Sequence, residues 1–223
     1  MESMPASRGS RITAVLFDLD GLLSDTEPLH CRAYQDVFRG LGIALDEETY
    51  IEEWVRLGRG ICSFLRKRGI ALDPDVIRER KAARYRELVR AEARPMPGAV
   101  ELLDRLHGRT RVALASSAYA DAVETVVDTL GLRGYFQAIV SHGHVERVKP
   151  FPDIFLYAAK ALGVPPGECV VLEDAEKGVI AAREAGMTCI AIPNAYTRHN
   201  DFSRATRVVP SLRAVTLDLI DAL

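Results

Sequence analysis

Short apolar runs recur along the chain, separated by stretches with helical spacing. Residues 12–17 form the first run, with Thr13 as its single polar member; Arg111–Ala115, Ala138–Val140, 169–172 and 188–192 follow. Each run is short, often β-branched, and free of strict polar alternation, the pattern of strands buried on both faces. Between them, Ala99–Leu106 and residues 120–130, 152–162 and 177–185 place apolar residues at helical spacing. Gly131, Gly163 and Gly186 follow three of these patterns, where a glycine stops a helix. Repeated strand–helix alternation predicts an α/β fold: a doubly wound parallel sheet with helices on both faces.

One long stretch departs from this rhythm. Residues 26–94 contain helical patterns and no convincing strand. Trp54, Leu57, Ile61, Phe64 and Leu65 recur at helical spacing, as do Ile77, Tyr85, Leu88 and Val89 less regularly, and the aromatic positions read as helix core. Met96-Pro97-Gly98 marks the return to the α/β pattern. The expected organisation is a helical domain at 26–94 inserted into an α/β core made of 11–25 and 95–223, with residues 1–10 as a disordered lead-in.

The 223 residues are 48% apolar and 27% charged, an ordinary globular balance. Twenty-nine basic and 31 acidic residues leave a net charge of −2. That argues against a protein built to coat nucleic acid. The four cysteines, Cys31, Cys62, Cys169 and Cys189, form no CxxC pair and read as structural. No apolar run approaches the ~18 residues of a membrane span, and the first ten residues lack an apolar signal core. A cytoplasmic location follows as the default.

Candidate chemistry sits where apolar runs end. Phe17-Asp18-Leu19-Asp20-Gly21 closes the first run. In extended chain Asp18 and Asp20 face the same way, and Gly21 permits a sharp turn. Two such carboxylates repel unless a cation lies between them or one is protonated; a polar turn or a calcium-loop fragment is the other reading. Val170-Val171-Leu172-Glu173-Asp174 again delivers acids to a strand end, the edge where open parallel sheets bind ligands. Asp174 suits either Mg²⁺ or the N-cap of the next helix. Ser116 and Ser117 end a third run, as phosphate donors or as a cap. Lys149 lies in Val148-Lys149-Pro150-Phe151-Pro152, where two prolines fix the backbone. It is either a phosphate-holding cation or a solvated charge.

Together, FDLDGLLSDTEPLH, ALASSA, RVKPFPDIF and VLEDAEKGVIAAREAGM resemble, in this order and nearly end to end, the haloacid dehalogenase-like (HAD) hydrolase superfamily. The helical insert is similar to the small cap of its phosphatases and β-phosphoglucomutases. The resemblance implies a Rossmann-like core and a nucleophilic Asp18 that becomes an aspartyl phosphate. It makes Asp20 the general acid and base. It implies Mg²⁺ held by Asp18, the backbone carbonyl of Asp20, and Asp174, with Glu173 beside it, and a phosphoryl group bound by Ser116, Ser117 and Lys149. Thr26 and His30 match positions that help Asp20 change state in the mutase branch. Arg59 and Lys81 lie where that branch binds the substrate's far phosphate, and a solvated basic face is the alternative. Ala175 replaces a usual serine, and Ala120 stands where the mutase carries a phosphate-binding asparagine. His142 and His144 lack a third ligand nearby and read as surface or loop residues.

The expected function is Mg²⁺-dependent hydrolysis of a small phosphorylated metabolite, a sugar phosphate foremost. A phosphosugar mutase is the alternative, and a non-catalytic metabolite sensor a third reading that the intact acidic set opposes. The expected partner is a small phosphorylated substrate rather than nucleic acid or a membrane. The expected assembly is a monomer or weak homodimer.

Overall fold

All five apolar runs become strands: β1 (Ala14–Phe17), β2 (Arg111–Ala115), β3 (Ala138–Val140), β4 (Cys169–Glu173) and β5 (Thr188–Ala191). A two-residue strand, β6 (Arg207–Val208), joins them. Both its residues are exposed, so no apolar run announced it. The order is β3-β2-β1-β4-β5-β6, and every neighbouring pair is parallel. The structure is a computed structural model that describes residues 11–223; the lead-in expected at 1–10 lies outside the described residues.

The runs show no polar alternation because both sheet faces are covered. Val15, Phe17, Leu114 and Leu172 face one cluster; Ala14, Leu16, Ala115 and Val171 face the other. On the first face lie α5 (Ala99–Leu106), α6 (Ala120–Thr129) and α9 (Leu217–Asp221), through Leu103, Val126 and Ile220. On the second lie α7 (Asp153–Leu162) and α8 (Glu176–Glu184), through Phe155, Ala158 and Val179. Gly163 closes α7 with φ of 65°, and Gly131 and Gly186, at 67° and 72°, follow α6 and α8. These are left-handed values that glycine adopts without strain.

Between β1 and β2 the described elements are helical: α1 (Glu27–Arg39), α2 (Glu47–Tyr50), a π-helical segment at Ile51–Arg56, α3 (Gly60–Lys67) and α4 (Pro74–Glu92). They share a core of Cys31, Phe38, Tyr50, Ile61, Phe64, Leu65 and Ile77, with Trp54 packed against it. A second face of α1 and α4, through Leu29, Ala33, Leu88 and Val89, joins the α5–α6 side of the sheet. The helical spacing read from Trp54 to Leu65 is not one helix. Gly58 and Gly60, at φ of 58° and 61°, break it, and Leu57 is exposed rather than core.

Among the described residues no helix is long and apolar enough to cross a membrane. All four cysteines are free thiols, three of them buried. Because the strands are parallel, their C-terminal ends share one edge, and β1 lies between β2 and β4.

Candidate active site

That edge gathers the acids. Phe17 lies opposite Leu172, so Asp18 comes to stand beside Glu173. One oxygen from each of Asp18, Glu173 and Asp174 lies within 4.8 Å of the others, and all three residues are buried. Lys149, also buried, reaches the same point from the segment after β3. Its Nζ donates to Asp18 Oδ1 at 2.5 Å, Glu173 Oε1 at 2.7 Å and the Ala115 carbonyl at 2.8 Å. Those three bonds use every ammonium hydrogen. The solvated-charge reading of Lys149 therefore fails.

Glu173 is equally committed. Its Oε2 accepts the backbone N–H groups of Asp174 at 3.0 Å and Ala175 at 3.1 Å. Asp174 does not cap α8; Ala175 holds the N-cap position, with no side-chain cap. Instead Asp174 Oδ2 accepts from Asn194 Nδ2 at 2.8 Å, and the same amide nitrogen donates to the Gly21 carbonyl at 3.0 Å. Gly21 is required here. Its φ is 82°, and a Cβ would stand 2.6 Å from both Asn194 Nδ2 and Asp174 Oδ2.

Burial pushes the Asp18 carboxyl up to about 7; Lys149 opposes the rise and Glu173 adds to it. Burial, then Glu173 and Asp18, push Asp174 well above the usual carboxylate range. Burial works against the Lys149 ammonium, but Asp18 and Glu173 override it and hold the group charged. Fully ionised, three buried carboxylates against one ammonium would carry an excess of two negative charges, the crowding that raises Asp18 and Asp174 and that a bound cation would offset. An all-oxygen donor set with that excess fits a hard divalent cation. Asp18, Glu173 and Asp174 together could hold it; Asp18 and Asp174 each keep one oxygen free of hydrogen bonds among the described residues, whereas both Glu173 oxygens already accept, from Lys149 and two backbone amides.

Asp20 is held differently. Its Oδ1 accepts from Thr26 Oγ1 at 2.6 Å, Tyr85 OH at 3.1 Å and His30 Nε2 at 3.3 Å. Lys81 Nζ lies 2.5 Å from His30 Nδ1. A charged ammonium can only donate, so Nδ1 accepts and Nε2 carries the hydrogen given to Asp20. His30 also stacks on Tyr85, with ring centroids 3.9 Å apart. Burial alone would raise the Asp20 pKa; the His30, Thr26 and Tyr85 donors overturn this and hold it below the usual carboxylate range. Among the described residues, Asp20 Oδ2 has no partner, which leaves it open to a reacting group. Lys81 is partly exposed, yet its ammonium lies against the Tyr34 and Tyr85 rings, and burial draws its pKa down to about 8.

These groups line a cavity of about 260 Å³ that Ser116, Ser117 and Lys81 also border. Ser116 Oγ accepts the Ala118 N–H at 3.1 Å in a local turn, and its own hydrogen is uncommitted. Ser117 Oγ is buried with no partner. Arg59 does not reach the cavity; it is exposed at the start of α3. His142 and His144 form a short helical turn, His144 exposed and His142 beside Tyr119, in keeping with a surface reading.

The profile of haloacid dehalogenase-like hydrolases matches residues 12–186. This chain belongs to that family. The fructose-1-phosphate phosphatase YqaB of Escherichia coli is 34% identical over 187 residues, covering 82% of this chain and 97% of YqaB. The crystal structure of CbbY from Rhodobacter sphaeroides in complex with phosphate superposes with a TM-score of 0.86 at 34% identity, over 94% and 99% of the two chains. A β-phosphoglucomutase from Clostridium difficile superposes at 0.78 with 26% identity, over 95% and 96%. The chain is thus a HAD-like enzyme of the phosphatase type, with the Rossmann-like HAD core.

Several contributors to this HAD site were not anticipated. The helical spacing places Tyr85 in a core, where its ring lies, but its hydroxyl serves Asp20. Trp54 packs against Tyr34, Tyr50 and Phe64 and also borders the cavity. Asn194 gave no signal, because nothing in its local pattern links it to Gly21 and Asp174.

Proposed function

We propose that this enzyme is a Mg²⁺-dependent phosphatase of small phosphorylated metabolites, sugar phosphates foremost, working through an aspartyl phosphate on Asp18. The observation that carries this reading is the Lys149 clamp, which fixes Asp18 beside Asp20, a carboxylate with one oxygen tied down and one open.

Asp18 attacks phosphorus and the ester P–O bond breaks. The leaving oxygen takes a proton from Asp20 in its acid form. Water then attacks the phosphorus, gives its proton to Asp20, and releases inorganic phosphate with Asp18 restored. The three donors on Asp20 favour its carboxylate form, which suits the water-activating half; the acid half requires that grip to loosen. Ser116, Ser117 and Lys149 orient the phosphoryl oxygens. Asp18 and Asp174, with the Asp20 carbonyl, would hold Mg²⁺, which supplies positive charge against the transferring phosphoryl group. Thr26 and His30 act on Asp20, and Lys81 acts through His30 at the cavity wall. Arg59 has no role in this arrangement. A cavity near 260 Å³ suits a substrate of monosaccharide size.

The test is a panel of phosphorylated metabolites assayed for both free phosphate and isomer. Phosphate release in excess of isomer supports the phosphatase; isomer without net phosphate, stimulated by a hexose bisphosphate, replaces it with the mutase. Asp18→Asn should keep the fold and lose nearly all turnover. Retention of more than roughly a tenth of the rate, a loss under about 1.4 kcal/mol, refutes the nucleophile assignment.

A further inference from the structure

Beyond the contacts around Asp20 and Ser24, two side-chain pairs cross between the helical insert and the α/β core among the described residues. Arg86 of α4 pairs with Asp121 of α6, and Tyr196 pairs with Glu47 of α2. The Arg86 pair ends on a surface carboxylate. The Tyr196 pair leads inward on both sides.

Tyr196 lies in the loop after β5. Its hydroxyl donates to Glu47 Oε1 at 2.5 Å, and its ring packs against the insert's own core. Burial, and then Glu47, push the pKa of this hydroxyl up, so it keeps its proton and stays a donor. The backbone N–H of Tyr196 donates to Asn194 Oδ1 at 2.8 Å, and that of Thr197 to the same oxygen at 3.2 Å. Thr197 Oγ1, buried, accepts the Asn194 N–H at 3.1 Å and closes the turn. With its oxygen so held, the Asn194 amide presents its nitrogen to Asp174 Oδ2 and the Gly21 carbonyl. On the other side, Glu47 opens the continuous helical stretch of α2 and the π-helical segment. Tyr50, Trp54 and Val55 of that stretch line the catalytic cavity.

We propose that Tyr196 is a positioning residue that ties the seating of the helical insert over the cavity to the orientation of Asp174. The connection runs from the Trp54 wall through Glu47, Tyr196 and Asn194 to the Asp174 carboxylate. Seating the insert holds the 194–197 turn and so fixes Asp174 for a cation. Holding Asp174 favours the seated insert in return, because coupling between two sites is reciprocal. This rests on the Mg²⁺ reading of the acidic cluster and adds to it the residue through which insert and cation affect each other.

Trp54, the chain's single tryptophan, is half-buried at the cavity wall and reports the seating. The test follows selectively excited Trp54 emission, its quenching by acrylamide, and calorimetric titration with Mg²⁺, all without substrate. Tyr196→Phe keeps the ring and the backbone N–H and loses only the hydroxyl. It should red-shift the emission, increase the quenching and weaken Mg²⁺ binding about fivefold. Glu47→Ala should do the same, and the double variant no more than either, since one bond is lost in every case. Glu47→Gln keeps an acceptor and should stay close to wild type. Mg²⁺ should protect Trp54 from quenching in wild type and not in Tyr196→Phe. Unchanged quenching in Tyr196→Phe, or greater quenching with no loss of Mg²⁺ affinity, overturns the coupling; so do additive losses in the double variant. If wild type takes up no Mg²⁺, the metal reading falls and the coupling with it. If wild type and Tyr196→Phe bind Mg²⁺ equally well, the coupling falls alone.

Discussion

Gly178 offers a sharp test, because local and tertiary physics predict opposite signs for it. It lies inside α8, where replacing glycine by alanine ordinarily stabilises a helix by about 1 kcal/mol. Here a Cβ would stand 1.8 Å from Glu173 Oε1 and 1.9 Å from its Cδ. No heavy atoms coexist at that distance, so the Glu173 carboxylate must move. It would forfeit Lys149 Nζ at 2.7 Å and the two backbone N–H groups at 3.0 and 3.1 Å. Uncoupling one partner of a buried ion pair costs about 3–5 kcal/mol. Set against the helix gain, Gly178→Ala should lose about 2–4 kcal/mol, or on the order of 5–15 °C in melting temperature at this chain length. Turnover should fall more than tenfold as Lys149 loses an anchor. Thermal and urea unfolding followed by circular dichroism, beside steady-state kinetics, read both effects. The double variant Gly178→Ala/Glu173→Ala isolates the cause: with the carboxylate gone, adding the methyl should be neutral or stabilising. A single variant as stable and active as wild type would refute the packing argument.

Other expectations follow from the same network. Asn194→Ala strips the donor from Asp174 Oδ2 and the Gly21 carbonyl; it should weaken apparent Mg²⁺ affinity about 10-fold or more, and unchanged activation by Mg²⁺ would contradict the orienting role. Tyr85→Phe removes one of three donors on Asp20; the carboxylate loses a stabilising partner, so the limb of the pH–rate profile that titrates Asp20 should move to higher pH. An unmoved profile would show Tyr85 to be only core. Chelated protein should be most stable near pH 4 and weaken as pH rises towards 7, since Asp18, pushed to about 7, favours its protonated form in the folded state. That one group amounts to on the order of 4 kcal/mol. Added Mg²⁺ should therefore raise the melting temperature more at pH 8 than at pH 5. A chelated melting temperature that climbs steadily across this range would count against the crowded carboxylates.

What the sequence determined is local. The strands β1 to β5 follow from short unbroken apolar runs, and the helices α5 to α8 and their glycine stops from a 3.6-residue period, signals that need only near neighbours. The pairing of Asp18 with Asp20 at a strand end, and of Glu173 with Asp174 at another, is legible for the same reason. The tertiary structure decided which partners each polar group takes. Lys149 meets Asp18 across 131 residues and Glu173 across 24; Asn194 meets Gly21 across 173. At such separations no periodic signal survives. That physics turned Glu173 into a brace, gave Tyr85 a second duty, drew Lys81 inward and left Arg59 outside.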